Sequence, residues 1–149
     1  MPRQEKVIEL RDVYATREGT WPYDQNVSIL YQLLCEREPW MNISHKKVPT
    51  FNKHKEFVES RPYKSWYVIF DDATETPVGS VYMSKNNEIG LFILKEYTNQ
   101  GYGRAAVNEM LKLYGKDFVA NINPLNKPCI ALFEKMGFEH VQNTYKISQ

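Results

Sequence analysis

At 149 residues, with 42% hydrophobic and 25% charged side chains, the chain has the size and composition of one soluble domain that folds without staples or metals. Its formal net charge of +1 gives no global pull on nucleic acid or on an anionic membrane, and neither is expected as a partner. No apolar run approaches a bilayer span, and Met1-Pro2-Arg3-Gln4-Glu5-Lys6 leads into no signal-type stretch, so the expected location is cytoplasmic. Cys35 and Cys129 lack CxxC spacing and read as reduced thiols, while His45, His54 and His140 make no ligand pair at helical spacing, so no metal is expected.

Val7, Ile8, Leu10 and Val13, with polar residues between them, predict a first strand. After a turn over 19–22, Asp24 or Asn26 caps a helix on which Val27, Leu30, Tyr31 and Leu34 recur at helical spacing, and Pro39 lies where that helix has ended. A second helix carries Phe51, His54, Phe57 and Val58 near one face and closes before Arg61-Pro62. The runs 65–70, 78–83 and 88–94, rich in aromatic and β-branched residues, predict successive antiparallel strands, with 71–77 as a hairpin loop.

The pattern then changes period. Gly101 and Gly103 open a helix with Ala106, Met110, Leu113 and Tyr114 on one side, ending by Gly115. A short strand follows over 118–122. Pro128 stands in the first turn of a last helix whose buried side is Ile130, Leu132, Phe133 and Met136. Gly137 stops that helix, and 138–147 returns as a final strand. With no repeat, low-complexity tract or linker, the expected fold class is α/β (α+β), a single domain built on a mixed sheet.

Between the third strand of that hairpin series and the next helix stands Gln100-Gly101-Tyr102-Gly103-Arg104-Ala105. Such a loop aims several backbone N–H groups one way, and the positive start of the helix adds to their attraction for phosphate oxygens. It is neither a Walker loop nor a GxGxxG dinucleotide loop, and two glycines before a helix also suit a plain turn.

Here the sequence resembles the GCN5-related N-acetyltransferase (GNAT) superfamily, whose cofactor loop reads Gln/Arg-x-x-Gly-x-Gly/Ala; Gln100, Gly103 and Ala105 fall in those places. Downstream, the run from Ala120 through Asn121, Asn123, Pro124 and Asn126 to Phe133, Gly137 and Phe138 is similar to the family's strand, asparagine loop and final helix. The resemblance implies a single GNAT-like domain, a sheet splayed at an acetyl-CoA site and flanked by helices, with acceptor-side elements in about 1–64 and the cofactor core in 65–149. It implies that Phe92, Ile93 and Leu94 offer backbone groups to the pantetheine arm, and that Tyr102, Gly103, Arg104 and Ala105 offer N–H groups to the diphosphate. Asn126 has two readings, a cofactor contact and a helix cap, and one side chain serves both.

An amine must lose a proton before it attacks a thioester, so a base or a water leading to one is needed. Glu88, at the start of the strand entering the loop, is near where some family members place a catalytic glutamate; its other reading is a solvated strand end. His54 reads as a base or as a half-buried structural histidine, and His45 as a weaker candidate. Many relatives have a tyrosine where Phe133 stands, positioned to protonate the leaving thiolate, so water, Tyr145 or Tyr82 takes that role here, or the thiolate leaves unprotonated. Cys129 reads as a packing residue rather than a nucleophile.

The first half is faintly similar to the branch that acetylates nucleotide-linked amino sugars. Trp40, Tyr63, Trp66 and Tyr67 suit stacking on a base or sugar, and Lys46, Lys47, Lys53 and Lys55 suit a diphosphate, although core aromatics and a solvated lysine face explain the same residues. The expected partner is a small-molecule amine, on a monomer or homodimer. The alternatives are a protein N-terminus or lysine, a drug or polyamine, and a module that binds acyl-CoA without turnover.

Overall fold

In the computed structural model, which describes residues 5–17, 19–38 and 47–148, the chain runs β1 (Ile8–Asp12), α1 (Trp21–Glu36), α2 (Phe51–Glu59), β2 (Ser65–Asp71), β3 (Thr76–Met83), β4 (Glu88–Ile93), α3 (Tyr102–Tyr114), β5 (Val119–Ala120) and α4 (Lys127–Lys135). The strands form one sheet in the order β1-β2-β3-β4-β5, antiparallel except where β5 runs parallel to β4. Trp40, His45 and Lys46, and the stop at Pro39, lie outside the described residues. Among the described residues no helix is long and apolar enough to cross a membrane.

Alternation along the strands divides the core between two faces. Trp66, Val68, Phe70 and Leu94 face α1 and α2, where Val27, Leu30, Leu33 and Val58 are buried. Ile69, Val81, Met83 and Ile89 face the opposite way and meet Ala106, Val107 and Met110 of α3 and Phe133 of α4. The α/β architecture with a mixed, mostly antiparallel sheet is therefore the one the patterning predicts.

Several boundaries differ. Helix α1 begins at Trp21 with Thr20 in the cap position, rather than at Asp24 or Asn26, because Pro22 fits the first turn, where its missing N–H costs nothing. The 71–77 loop is tighter than expected: Asp71 Oδ1 accepts from the N–H groups of Ala73 and Thr74 at 3.0 Å, which closes the turn and lets β3 start at Thr76. In α3 the last-turn Leu113 is 57% exposed, while Tyr114 packs on the core as expected and Leu111 joins it. The strand predicted over 118–122 is reduced to its pairing residues, Val119 and Ala120.

The final predicted strand does not form. Residues 139–148 are irregular and exposed, with Tyr145 and Ile147 each 88% accessible. Alternation specifies which side of a strand is apolar, but a strand also needs an edge to pair with, and no strand of this sheet is paired to that segment.

Candidate active site

The hydrogen-bond phase of β4 decides which of its backbone groups are free. Ser84 N–H donates to Glu88 O at 2.8 Å, and Leu94 N–H donates to Val78 O at 2.8 Å. In an antiparallel pair, bonded and non-bonded positions alternate, so Gly90 and Phe92 also bond back to β3 while Leu91 and Ile93 turn their N–H and C=O outward. On that outer side β5 reaches only Glu88 and Ile89. The pairing therefore ends at Ile89, and beyond it the gap on the outer side of β4 is lined by the backbone of Leu91 and Ile93.

This phase corrects the expected backbone set. Of Phe92, Ile93 and Leu94, only Ile93 presents its backbone to the gap. Leu91 does so too, a residue the sequence reading missed; its parity relative to the Ser84–Glu88 turn is the signal that could have found it.

After β4 a 3₁₀ turn over Lys95–Tyr97 leads to the loop, where Asn99 (φ 61°) and Gly101 (φ 94°) both take the left-handed conformation. Gly101 suits its φ because it has no Cβ. Gly101 is the N-cap of α3 and no side chain caps that helix. Ala105 N–H donates to Gly101 O at 3.1 Å, so the uncapped donors are Tyr102, Gly103 and Arg104, and Ala105 is not among them. Such donors at a thirteen-residue helix start fit a diphosphate.

Side chains hold this loop in place. Gln100 Nε2 donates to Glu96 O at 3.0 Å. Tyr102 is buried and its hydroxyl donates to Asp71 Oδ2 at 2.6 Å, a bond that pulls the Asp71 carboxyl below its ordinary range. Burial, then Asp71, pushes the Tyr102 hydroxyl up to about 12, so this proton stays on the ring. Lys6 lies across the loop, its Nζ 5.1 Å from the Tyr102 ring centroid, a basic contact the sequence reading missed. A Cβ on Gly103 would meet Leu132 Cδ2 at 3.2 Å and Leu91 Cδ2 at 3.4 Å, so this glycine allows α3, α4 and β4 to approach closely.

On the α1 side of β4 stands an aromatic wall. The Tyr63 and Tyr82 rings are stacked at 3.7 Å, Trp66 meets Tyr63 edge-on at 4.8 Å, and the Phe92 ring lies 6.4 Å from Tyr82. Tyr82 covers Gly90, which places it between Glu88 and Phe92 along the strand. Burial, followed by the adjacent Tyr82 hydroxyl, pushes the Tyr63 pKa upward. Arg37, which follows α1, lays its guanidinium over Phe92 at 3.6 Å. Of the quartet expected to stack on a ligand, Tyr67 is on the opposite face with the α3 cluster, and Lys47, Lys53 and Lys55 are exposed.

The remaining candidates are dispersed. Glu88 is half-buried, its N–H donates to Ser84 Oγ at 2.9 Å, and its carboxylate makes no ion pair among the described residues. His54 is 3% exposed with Nε2 3.1 Å from Val27 O, tying α2 to α1, and burial is the first cause lowering its pKa. Tyr145 is in the exposed C-terminal segment. Asn126 caps α4 by accepting from Cys129 N–H at 3.3 Å, which leaves its amide N–H groups for another partner. Phe133 is 4% exposed and packs edge-on against Phe138 at 4.9 Å. Burial pushes the Cys129 thiol up to about 11, consistent with a packing residue. No group of three or more potential metal ligands occurs among the described residues.

Comparison with known proteins bears on this arrangement. Residues 27–138 match the acetyltransferase (GNAT) family. No curated protein matches the chain. Among solved structures, a domain from Methanocaldococcus jannaschii is 23% identical and superposes with TM-score 0.69, covering 94% of this chain and 93% of that one. Spermidine N-acetyltransferase from Vibrio cholerae, solved with CoA and spermine, is 16% identical with TM-score 0.70, over 95% of this chain and 88% of its own. An acetyltransferase from Thermus thermophilus is 18% identical with TM-score 0.64, over 91% of this chain and 89% of its own. At these identities the superpositions speak to the fold, and the family match, running from within α1 through the gap, the loop and α4, carries the assignment: the chain belongs to the GNAT family and is an acetyl-CoA-dependent acyltransferase.

Proposed function

We propose that the protein moves the acetyl group of acetyl-CoA directly to a primary amine of a small molecule, in the cytosol and without a covalent enzyme intermediate. The observation that carries this reading is the pairing of the open β4–β5 gap with the uncapped start of α3. Leu91 and Ile93 supply strand-like backbone partners for the pantetheine arm, and Tyr102, Gly103 and Arg104 supply N–H donors for the diphosphate. Asn126 has spare amide donors for the other side of the cofactor.

In the transfer, the amine lone pair forms the C–N bond as the C–S bond breaks. Glu88, directly or through a water, takes the proton the ammonium must lose. An outward N–H of β4 stabilises the developing oxyanion. The thiolate takes a proton from Tyr82, whose ring lies on the acceptor side of β4, a place Phe133 cannot serve because it has no hydroxyl and is packed in the core. Tyr63, Trp66, Tyr82 and Phe92, with Arg37 over Phe92, provide an acceptor wall of aromatic rings, which suits a compact acceptor better than a long polycation. A nucleotide-linked amino sugar remains within that class, supported by Tyr63 and Trp66 but not by Tyr67.

Calorimetry with CoA followed by a thiol-release assay over a panel of amines tests this reading. Submillimolar CoA binding with acetylated amine as product is the expected outcome. Binding without consumption of acetyl-CoA by any amine points instead to a cofactor-binding module without turnover.

A further inference from the structure

Arg37 stands beside the proposed acceptor site as a cation that no carboxylate of the described residues answers. Its buried Nε has no hydrogen-bond acceptor among them. Its contacts are the Phe92 face at 3.6 Å and the neighbouring Tyr63 and Tyr82. A cation–π contact satisfies one face of a guanidinium, but the Nε–H lies in the plane and remains unmatched. A buried N–H without an acceptor costs stability, so the position of Nε calls for an acceptor from outside.

Two further orphans adjoin the same wall. Glu36 Oε2 and Trp66 Nε1 are buried without hydrogen-bond partners, although Glu36 Oε1 accepts from Lys95 N–H at 2.9 Å at the end of β4. A positive donor, a negative acceptor and a neutral donor therefore remain open around a ring-lined site. Arg37 is only partly buried as a residue, so a small molecule can reach it.

We propose that the acceptor is an amine carrying a carboxylate, of the amino-acid type, with the carboxylate held by Arg37. This rests on the acetyltransferase reading and narrows its substrate class. A planar carboxylate matches the guanidinium edge in two parallel hydrogen bonds. A phosphate dianion fits less well, because His54, whose pKa Arg37 helps to lower after burial, adds no second positive charge near neutral pH. A polyamine is disfavoured by like charge at Arg37. The chemistry leaves Glu36 Oε2 as a partner for an ammonium before it is deprotonated.

The test is binding calorimetry of CoA-loaded protein with matched pairs: amino acids against their carboxamides, with glucosamine, glucosamine 6-phosphate and spermidine alongside. At least one amino acid is expected to bind at least about tenfold tighter than its carboxamide, the scale of a hydrogen-bonded charged partner. Arg37→Met, which keeps an apolar chain over Phe92, should abolish that difference, and Arg37→Lys should restore part of it, with CoA affinity unchanged in both. Equal binding within every pair, absence of binding by both members, or strongest binding by spermidine or glucosamine 6-phosphate overturns the proposal, as does an Arg37→Met protein that keeps the discrimination. Because binding is read without turnover, a carboxylate preference in a protein that acetylates none of these amines counts against the catalytic reading while leaving the carboxylate site at Arg37 standing.

Discussion

Tyr82 lies flat across Gly90 on the neighbouring strand: a Cβ built on Gly90 would overlap the ring and fall 2.6 Å from its hydroxyl oxygen. The ring cannot simply lift away, because its other face is stacked on Tyr63 at 3.7 Å with only 4° between the planes. Glycine is thus what lets an aromatic hydroxyl rest against β4.

Gly90→Ala should therefore destabilise the protein by about 1–3 kcal/mol through overpacking and lower Tm by about 2–4 °C for each of those kilocalories. It should also reduce kcat by moving the Tyr82 hydroxyl. Tyr82→Ala in the same background should recover part of the lost stability, so the double variant should be more stable than the two single losses summed, while kcat stays low. Differential scanning calorimetry on the four proteins checks this. Strictly additive losses would mean that ring and strand do not compete for that space.

A second prediction concerns Gly103, whose Cβ direction points at Leu132 and Leu91 rather than out of the loop. Gly103→Val should wedge the start of α3 away from α4 and weaken CoA binding at least about tenfold, because the backbone donors lose their common aim. Leu132→Ala in that background should restore much of the affinity by making room for the added methyl groups. If the double variant binds CoA no better than Gly103→Val alone, the valine obstructs the phosphate directly and the packing account is wrong.

The order of strands and helices and the two-faced core were legible because period-2 and period-3.6 patterns switch cleanly at the glycine loop. The phase of β4 was harder to read. Whether Phe92 or its neighbours turn their backbone to the gap depends on where the Ser84–Glu88 turn closes, and a shift of one residue there exchanges the bonded and free sets. The segment 138–147 carries Phe138, Val141, Tyr145 and Ile147 among polar residues, yet such a pattern holds no information about a pairing partner. The Arg37–Phe92 contact joins residues far apart in the chain and left no local signal.

His54 provides a prediction about stability rather than rate. Burial lowers its pKa in the folded protein, while the unfolded chain keeps the ordinary value of 6.5. The unfolded state then binds more protons below that value, so stability is fully present above pH 6.5 and declines as pH falls from there toward the lowered folded pKa. Thermal melts between pH 7.5 and about pH 5 should show this decline, and His54→Gln, which can still donate to Val27 O, should flatten it. The kcat profile of His54→Gln should keep its wild-type shape. A profile that loses an acid limb below pH 6.5 in the variant would instead place His54 in the proton path.

The last prediction separates the base from the acid. As a general base, directly or through water, Glu88 would contribute about 10²–10⁴-fold, so Glu88→Gln should lower kcat by at least about 100-fold with little change in CoA affinity. The deficit should shrink as pH rises, because more of the acceptor then arrives as free amine and needs no base. Tyr82→Phe keeps the ring that covers Gly90 and removes only the proton, so its fold and CoA affinity should match the wild type while kcat falls. Its deficit should behave differently: raising the pH supplies free amine but no proton for the thiolate, so the loss persists at high pH. An acetyl thioester with a more acidic thiol needs less help in leaving and should restore Tyr82→Phe but not Glu88→Gln. If both variants respond alike to pH and to the leaving group, the two side chains do not divide the proton transfers as proposed, and a water chain through the open strand gap becomes the better account of both.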